Sequence, residues 1–184
     1  MALRVIAGTA RGRKLVAPKG GARPTQDRVK EALFSSLGDA VVDVTVLDLY
    51  SGSGALAIEA LSRGAAHAVL VDSDRSAVAA IRANLDTTGF ADQATVSPRP
   101  ADTYVKSGAP GGPFGLVLLD PPYDAASADV AEVLAGLVTA GAVAPGATVV
   151  IERARGSEAI ALPDGWDVRR ERTYGDTLLI LVSA

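Results

Sequence analysis

The sequence predicts an α/β domain in which a mostly parallel β-sheet is covered by helices. Apolar runs of strand length alternate with segments whose apolar residues recur at helical spacing, from position 45 to position 152. A glycine-rich turn joins the first strand of this series to the first helix. The last two β-like runs, 166–172 and 177–182, flank a Tyr-Gly-Asp turn and predict an antiparallel hairpin that closes the sheet edge.

The first strand and helix of the series surround a Gly-x-Gly turn. The strand ends at Asp48, and Gly52 and Gly54 lie in the turn, where the lack of a Cβ lets a ligand approach the backbone. The next apolar run, 67–71, ends in Asp72, 20 positions after Gly52. Nucleotide-binding folds place there the carboxylate that binds the ribose hydroxyls. The pattern predicts a nucleotide-type cofactor, and a dinucleotide also fits it.

The remaining elements follow in order along the chain. They are a helix at 75–85, a strand at 94–97, a Gly/Pro loop at 108–115, a strand at 116–120, a helix at 127–140 and a strand at 148–152. Such alternation of helices and strands indicates a parallel sheet with helices on its faces.

The N-terminal residues differ in pattern from the rest. Two short β-like runs, 3–7 and 12–17, predict a hairpin arm that projects from the main domain. A helix is predicted to begin after it, with Thr25 as the cap. The buried stripe of that helix is predicted to be Val29, Leu33, Phe34 and Leu37, which leaves Arg28 and Lys30 off the stripe. We therefore predict a basic extension at 1–22 and a main domain at 23–184.

Composition excludes several kinds of chemistry. The 184 residues contain no Cys and one His, so a disulfide framework, a cysteine nucleophile and a His-based metal cluster are excluded, and we expect no metal. We also find no apolar run of about 18 residues and no signal-peptide pattern, so we expect a soluble cytoplasmic protein that does not enter a membrane.

Charge is distributed unevenly along the chain. Residues 1–30 contain eight Lys or Arg and one acid, Asp27, giving +7, whereas the rest contains ten bases and twenty acids, giving -10; the sum is the overall -3. A basic segment on an acidic body indicates contact with a polyanion, and a solvated terminal segment explains the charge about as well. Charge alone leaves both interpretations open.

The loop after the strand at 116–120 carries the predicted chemistry. Its sequence is Asp-Pro-Pro-Tyr, and it emerges at the carboxyl end of a strand, where open α/β sheets bind ligands. Two prolines remove two N-H donors, so the loop presents mainly acceptors followed by an aromatic ring. Such a loop suits a planar base that bears an exocyclic amine. The predicted catalytic residues are Asp120, Pro121, Pro122 and Tyr123.

These motifs together resemble a known family. Asp48-x-Tyr-x-Gly-x-Gly, Asp72 and Asp120-Pro-Pro-Tyr are similar to class I S-adenosylmethionine-dependent methyltransferases that act on amines. Four further motifs resemble the RsmD family, bacterial enzymes that methylate the N2 amine of a guanine in 16S ribosomal RNA. They are Arg4-Val-Ile-Ala-Gly, Arg11-Gly-Arg-Lys-Leu, Arg23-Pro-Thr-x-Asp-Arg-Val-Lys-Glu and Gly52-Ser-Gly-Ala-Leu.

The resemblance implies a Rossmann-like methyltransferase sheet, S-adenosylmethionine as cofactor, and ribosomal RNA or the assembling small subunit as partner. The implied cofactor-binding residues are Asp48, Tyr50, Ser51, Gly52, Ser53, Gly54, Asp72, Ser73, Ala101 and Asp102. Relatives often contact the adenine amine from the position of Pro100, so Asp102 is the candidate to replace that contact. The oligomeric state stays open, with a monomer expected.

Basic residues near the N-terminus are the predicted RNA contacts, because a catalytic domain of net negative charge otherwise repels a polyanion. They are Arg4, Arg11, Arg13, Lys14, Arg23 and Arg28. Glu59 and Arg63, spaced i to i+4 on a helix, are interpreted as a solvated pair.

Two alternative functions are kept. A DNA adenine or cytosine amino-methyltransferase is the first, because Asp-Pro-Pro-Tyr serves several exocyclic amines; the basic arm and the lack of a target-recognition domain favour RNA over it. An NAD-dependent oxidoreductase is the second, because it shares the Gly-x-Gly unit, but it leaves the Asp120–Tyr123 loop unexplained.

Overall fold

The computed structural model describes residues 3–19 and 27–184 and confirms the α/β fold. The strands are β1 Thr45–Leu49, β2 His67–Val71, β3 Ala94–Ser97, β4 Phe114–Leu119, β5 Val143–Ala154, β6 Asp167–Tyr174 and β7 Thr177–Ser183. The helices are α1 Asp27–Leu37, α2 Ala55–Ser62, α3 Arg75–Thr88, α4 Ala101–Lys106 and α5 Ser127–Thr139. The predicted arginine at position 23, the Thr25 cap and the boundary between 22 and 23 lie outside the described residues.

All seven strands belong to one sheet in the order β3-β2-β1-β4-β5-β7-β6. Strands β1 to β5 pair in parallel, and β7 pairs antiparallel with both β5 and β6, as the C-terminal hairpin prediction required. The order reverses between β1 and β4, because the chain reaches the β3 edge before it returns to β4. In open α/β sheets ligands bind at such a reversal, beyond the carboxyl ends of the strands.

Helices cover both faces of the sheet. Helices α1, α2 and α3 pack on one face, which we call the α1 face, and α4 and α5 pack on the other. Successive strand residues point to opposite faces, so Val46 joins the first cluster and Leu47 the second. The predicted buried stripe of α1, Val29, Leu33, Phe34 and Leu37, is buried in the structure, which confirms the 3.6-residue pattern of this helix.

The N-terminal segment, residues 3–19, is a hairpin, but the prediction that it projects from the main domain is wrong. Its two runs pair antiparallel through Val5 N to Arg13 O at 3.0 Å and Leu15 N to Leu3 O at 2.8 Å. The apolar side chains of Leu3, Val5 and Leu15 are buried against the helices of the α1 face. Burial of these side chains stabilises the packed arrangement over a projecting one.

A buried charged cluster fixes the N-terminal segment to α2, and here two sequence interpretations are wrong. Glu59 is 0% exposed, and its carboxylate accepts hydrogen bonds from Ile6 N at 2.8 Å and Ala7 N at 3.0 Å. Lys30 is also 0% exposed; its Nζ lies 3.5 Å from Glu59 Oε2 and donates to Arg4 O at 2.5 Å. Arg63 donates to Glu59 at 2.8 Å. Glu59 is therefore a buried anchor and not part of a solvated pair. Lys30, which was predicted to lie off the buried stripe of α1, is buried as well.

Two elements differ from the predicted ones. Helix α4 was not predicted, because its six residues hold too few helical repeats to show a periodicity. Strand β5 begins at Val143, five residues before the predicted start, because the register shift between Phe114 and Leu116 accommodates Pro145 and Gly146 at an irregularity of the ladder. None of the described helices is long and apolar enough to cross a membrane.

Candidate active site

A cleft of about 860 Å³ opens at the carboxyl ends of β1, β2 and β4. It brings together eleven of the predicted site residues: Asp48, Tyr50, Ser51, Gly52, Ser53, Asp72, Ser73, Asp120, Pro121, Pro122 and Tyr123. The cofactor-type turn and the acceptor-rich loop thus share one cavity. Three of the predicted cofactor-binding residues, Gly54, Ala101 and Asp102, are absent from its lining.

The turn between β1 and α2 is held by internal hydrogen bonds. The hydroxyl of Ser51 donates to Asp48 O at 2.6 Å, and Gly54 N donates to Ser51 O at 2.7 Å. Gly54 begins α2 with a φ of 75°, and a Cβ at this position would lie 2.9 Å from a methyl group of Leu70. Only glycine therefore allows α2 to pack this closely on β2. The role of Gly54 is to shape the turn from outside the cleft.

Asp48 is buried at the floor of the cleft and is incompletely hydrogen-bonded. It is 1% exposed; Oδ2 accepts from Ala57 N in the first turn of α2 at 3.2 Å, and Oδ1 has no hydrogen-bond partner among the described residues. Burial raises the pKa of this carboxyl to about 8, with smaller contributions from the charges of Asp120 and Asp72, against the lowering by the Ala57 bond. A cationic ligand group beside Oδ1 would supply the missing partner.

Asp72 is oriented by the backbone around it. Its Oδ2 accepts from Gly52 N at 2.8 Å, and its Oδ1 accepts from Asp74 N at 2.9 Å. Each carboxylate oxygen keeps a further lone pair, so both can still accept a ribose hydroxyl. Asp74 in turn caps α3 through Ala77 N at 2.8 Å. The carboxylate is therefore preorganised at the end of β2.

The loop at 120–123 forms the opposite wall of the cleft. Pro121 is buried, whereas the ring of Tyr123 is 50% exposed, one of the few large hydrophobic side chains on the described surface. An exposed aromatic ring beside a nucleotide-type cleft is suited to stack on a base. Asp120 begins the loop directly after β4, at the level of the β1 terminus, where Asp120 N approaches Leu49 O at 3.4 Å.

Asp102 lies on an exposed part of α4. Its carboxylate pairs with Lys106 one helical turn further on, at 3.2 Å, and this hydrogen bond is the main cause of its lowered pKa. Pro100 occupies the N-cap position of the same helix. The adenine contact of Ala101 and Asp102 stays a prediction.

Five of the six basic residues predicted to contact RNA belong to the described part of the chain, and they lie on or beside the N-terminal segment. The side chains of Arg11, Arg13, Lys14 and Arg28 are exposed. Arg4 is also accessible, but its Nε pairs with Asp27 at 3.2 Å. Their contact with RNA stays a prediction.

The sequence did not predict the wall that the N-terminal segment contributes to the cleft. Ala17, Pro18 and Lys19, at the end of the N-terminal segment, line the cavity together with Leu3. Asn84, a buried polar residue on α3, holds this wall. Its Nδ2 donates to Val16 O at 2.9 Å, and its Oδ1 accepts from Val16 N at 2.8 Å. An amide on the apolar face of a predicted helix was the one indication of this contact in the sequence.

No group of His, Cys, Asp or Glu among the described residues could hold a metal ion. His67, the one histidine of the chain, lies beside Thr95 at 3.0 Å on the surface.

Solved structures share this fold over the whole chain. The Escherichia coli protein yhhF, described as a candidate methyltransferase, is 36% identical with a TM-score of 0.85, and the match covers 100% of this chain and 98% of that one. A candidate S-adenosylmethionine-dependent methyltransferase from Streptococcus mutans, at 14% identity and a TM-score of 0.71, shares the fold over 86% of this chain and 48% of its own. The fold and the cleft define a Rossmann-like methyltransferase of class I.

Curated relatives and a family model narrow this class. Ribosomal RNA small subunit methyltransferase D of Escherichia coli is 35% identical over 174 residues, 94% of this chain and 85% of that protein. The Haemophilus influenzae protein of the same name is 35% identical over 175 residues, 94% of this chain and 89% of that protein. The family model described as "Conserved hypothetical protein 95" matches residues 3–183. The chain belongs to this family, the RsmD family, which confirms the resemblance seen in the sequence.

Proposed function

We propose that this chain transfers a methyl group from S-adenosylmethionine to the exocyclic N2 amine of a guanine in small-subunit ribosomal RNA. One observation carries the proposal: the Gly-x-Gly turn with Asp72 and the loop at 120–123 line the same cleft. The Escherichia coli and Haemophilus influenzae relatives, named as ribosomal RNA small subunit methyltransferases, support this choice of substrate.

The cleft fits the cofactor at two places. The carboxylate of Asp72, already oriented by Gly52 N and Asp74 N, accepts the ribose hydroxyls. The unpartnered Oδ1 of Asp48 accepts the ammonium of the methionine end, which compensates for the burial of that carboxyl. S-adenosylmethionine, when bound, supplies an electrophilic methyl carbon on a sulfonium.

The loop at 120–123 activates the amine and holds the base. The Asp120 carboxylate and the Pro121 carbonyl accept the N-H protons of the amine, which draws its lone pair out of the base ring and towards the methyl carbon. The ring of Tyr123 stacks on the base and fixes its plane. With the cofactor bound, the N–C bond would form as the methyl C–S bond breaks and leaves its electron pair on sulfur. The nitrogen would lose one proton, which Asp120 accepts in the same cleft.

The substrate class is tested by identifying the modified nucleoside. Small subunits and 16S ribosomal RNA from a strain that lacks the gene are incubated with the protein and S-adenosylmethionine, then digested and analysed by mass spectrometry. We expect one N2-methylguanosine per RNA. Methylation of adenine or cytosine in DNA under the same conditions, with unmodified RNA, would contradict the proposal and favour the DNA enzyme.

A further inference from the structure

The edge strand β6 carries an unusual group of basic residues. Arg169, Arg170 and Arg172, which we call the edge arginines, are three of the ten basic residues after position 30, and all three are exposed. The same part of the chain contains twenty acidic residues. A concentration of positive charge within four positions of an otherwise acidic region calls for a physical explanation.

Strand pairing places two of the edge arginines, Arg170 and Arg172, on one face of the sheet. Arg170 lies opposite Leu181 and Arg172 opposite Leu179, and both leucines pack into the cluster on the α1 face. Directly paired residues project to the same face, so these arginines do too. A side-chain contact supports this orientation, because Arg170 Nη1 donates to Ser36 on α1 at 3.4 Å.

Two further charged residues of β6, Arg169 and Glu171, differ in position from Arg170 and Arg172. Arg169 lies at the register shift between Val168 and Arg170 and donates to Ser183 at 3.2 Å. Glu171 pairs with Ile180 and therefore projects to the opposite face. Arg170 and Arg172 thus lie on the face opposite to Glu171, whereas Asp167, which pairs with Ser183 at the start of β6, lies on the same face as the two arginines.

The edge arginines share the α1 face with the basic N-terminal segment. Helix α1 contacts both: Lys30 bonds to Arg4 O at one side, and Ser36 accepts from Arg170 at the other. Helix α1 therefore contacts both basic regions, the N-terminal segment and the edge arginines.

The register also gives the distance from the candidate catalytic loop. Leu119 pairs with Ile151, and the next residue of β5, Glu152, pairs with Leu179, which pairs with Arg172. Arg172 thus lies at the level of Asp120, three strands away, or roughly 14 Å at about 4.8 Å per strand. A polynucleotide whose target base enters the cleft can span this distance within a few nucleotides.

Charged residues on an edge strand also have an ordinary explanation, because they prevent edge-to-edge pairing between molecules. That role is served by charges of either sign and on either face. It does not account for the placement of both Arg170 and Arg172 on the α1 face, one of them in contact with α1.

We propose that the edge arginines bind phosphates of the RNA substrate and extend its binding surface along the α1 face, from the N-terminal segment to the C-terminal hairpin. The inference rests on the proposed function, since it assumes that RNA is the substrate. Charge complementarity selects the partner: a polyanion with regularly spaced phosphates.

The test is the salt dependence of RNA binding by a triple variant, Arg169→Gln with Arg170→Gln and Arg172→Gln. Each lost phosphate contact lowers the slope of log Kobs against log salt by roughly 0.7 to 0.9 in magnitude, so for three contacts we expect a total decrease of about 2.1 to 2.7. The Kd for S-adenosylmethionine, measured by calorimetry, is expected to stay unchanged. Arg82→Gln, an exposed arginine on α3 at the other end of the sheet, is the matched control.

An unchanged slope in the folded triple variant, with increased self-association, would overturn the proposal and assign the edge arginines to edge protection. If the triple variant fails to fold, the single variant Arg172→Gln tests the proposal. We then expect the salt slope of RNA binding to decrease in magnitude by roughly 0.7 to 0.9. Failure of the proposed function is a separate result, because the wild-type protein would then produce no N2-methylguanosine at any salt concentration.

Discussion

The side chain of Asn84 links Ser53, in the glycine turn, to Val16, in the N-terminal segment. Its amide donates to Ser53 O at 2.8 Å and to Val16 O at 2.9 Å, and its oxygen accepts from Val16 N at 2.8 Å. Asn84 is 1% exposed, so these bonds are made without competition from water. One residue therefore fixes two walls of the cleft relative to each other.

We predict that Asn84→Ala weakens cofactor binding without touching the cofactor. The change removes the hydrogen-bond partner of three partly buried backbone groups, Val16 N, Val16 O and Ser53 O, which costs about 1 to 3 kcal/mol of unfolding free energy. Loosening of the two walls is expected to cost about 1 kcal/mol of binding free energy, a roughly fivefold rise in the Kd for S-adenosylmethionine. Urea unfolding and calorimetry measure the two effects.

Val78→Ala is the control, because Val78 is buried on the same helix and is not part of the cleft lining. It is expected to lower stability and to leave the Kd unchanged. If both variants raise the Kd in proportion to their loss of stability, Asn84 acts through general stability alone and the positioning role is refuted.

Asp48 is expected to make stability depend on pH. Its pKa of about 8 in the folded protein lies above the ordinary value of 3.8, so the folded state binds more protons than the unfolded state between these values. The stabilising contribution is complete below the unfolded pKa and is lost as pH rises through the folded pKa. We predict that the free energy of unfolding falls between about pH 4 and pH 8 for this reason.

The comparison with Asp48→Asn isolates this contribution, because the amide keeps the shape and cannot ionise. Urea unfolding of both proteins without cofactor, from pH 5 to pH 9, is the measurement. We expect the stability difference between variant and wild type to increase with pH up to about 8 and then to level off. Parallel curves would show that Asp48 does not titrate in this range.

Asp120 and Tyr123 are predicted to act on the acceptor base and not on the cofactor. Asp120→Ala should lower kcat by about 100-fold, since it removes an interaction that strengthens as the amine becomes nucleophilic. Tyr123→Ala should raise the KM for RNA, because it removes about 1 to 3 kcal/mol of binding free energy, the scale of base stacking on an aromatic ring. Steady-state kinetics with small subunits measures both.

Two matched variants sharpen this test. Asp124→Ala removes an exposed acid from the same loop that does not line the cleft, and it should retain normal turnover. Tyr123→Phe keeps the ring and should retain the KM. Near-normal turnover by a folded, cofactor-binding Asp120→Ala protein is incompatible with the proposed mechanism.

The sequence predicted the sheet well, because each buried strand is a short apolar run with a clear end. Runs 67–71 and 94–97 match β2 and β3 residue for residue. The cleft walls from β1, β2 and β4 were predictable for the same reason, since a polar residue that ends an apolar run marks the carboxyl edge of a parallel sheet.

The contacts between distant segments were not predictable. Glu59 and Lys30 each have the spacing of surface residues on their own helices, and only the docking of residues 3–19 over α2 buries them. Local periodicity contains no information about a segment 53 positions away in sequence. The wall formed by Ala17 to Lys19 was missed because it depends on this docking.

We predict that Glu59→Gln lowers the free energy of unfolding by about 3 to 5 kcal/mol. The change leaves the buried Lys30 ammonium without its anionic partner and disturbs the acceptors of Ile6 N and Ala7 N. Glu31→Gln, an exposed acid on α1, is the control and should change stability by less than about 0.5 kcal/mol. Denaturant unfolding compares the two, and equal stabilities would mean that the cluster does not anchor the segment.

The exposed basic side chains of the N-terminal segment are predicted to bind RNA phosphates. The segment is attached to the main domain through backbone groups and apolar side chains, such as Ile6 N, which donates to Glu59, and buried Leu15, so its basic side chains can be changed without loss of packing. The variant that changes Arg11, Arg13 and Lys14 to Gln should keep its stability and its Kd for S-adenosylmethionine. Its RNA affinity should fall, and its salt slope should decrease by roughly 0.7 to 0.9 for each lost contact.

The same change distinguishes RNA binding from a purely structural role of the N-terminal segment. If the basic side chains serve only to close the cleft, the triple variant loses cofactor affinity or thermal stability while its salt slope stays that of the wild type. Filter binding across a range of salt concentrations measures the slope, and Arg82→Gln, which removes one exposed positive charge outside the segment, is the control. An unchanged slope in the folded triple variant would move RNA recognition away from this segment, and the edge arginines on the same face of the sheet would then carry it.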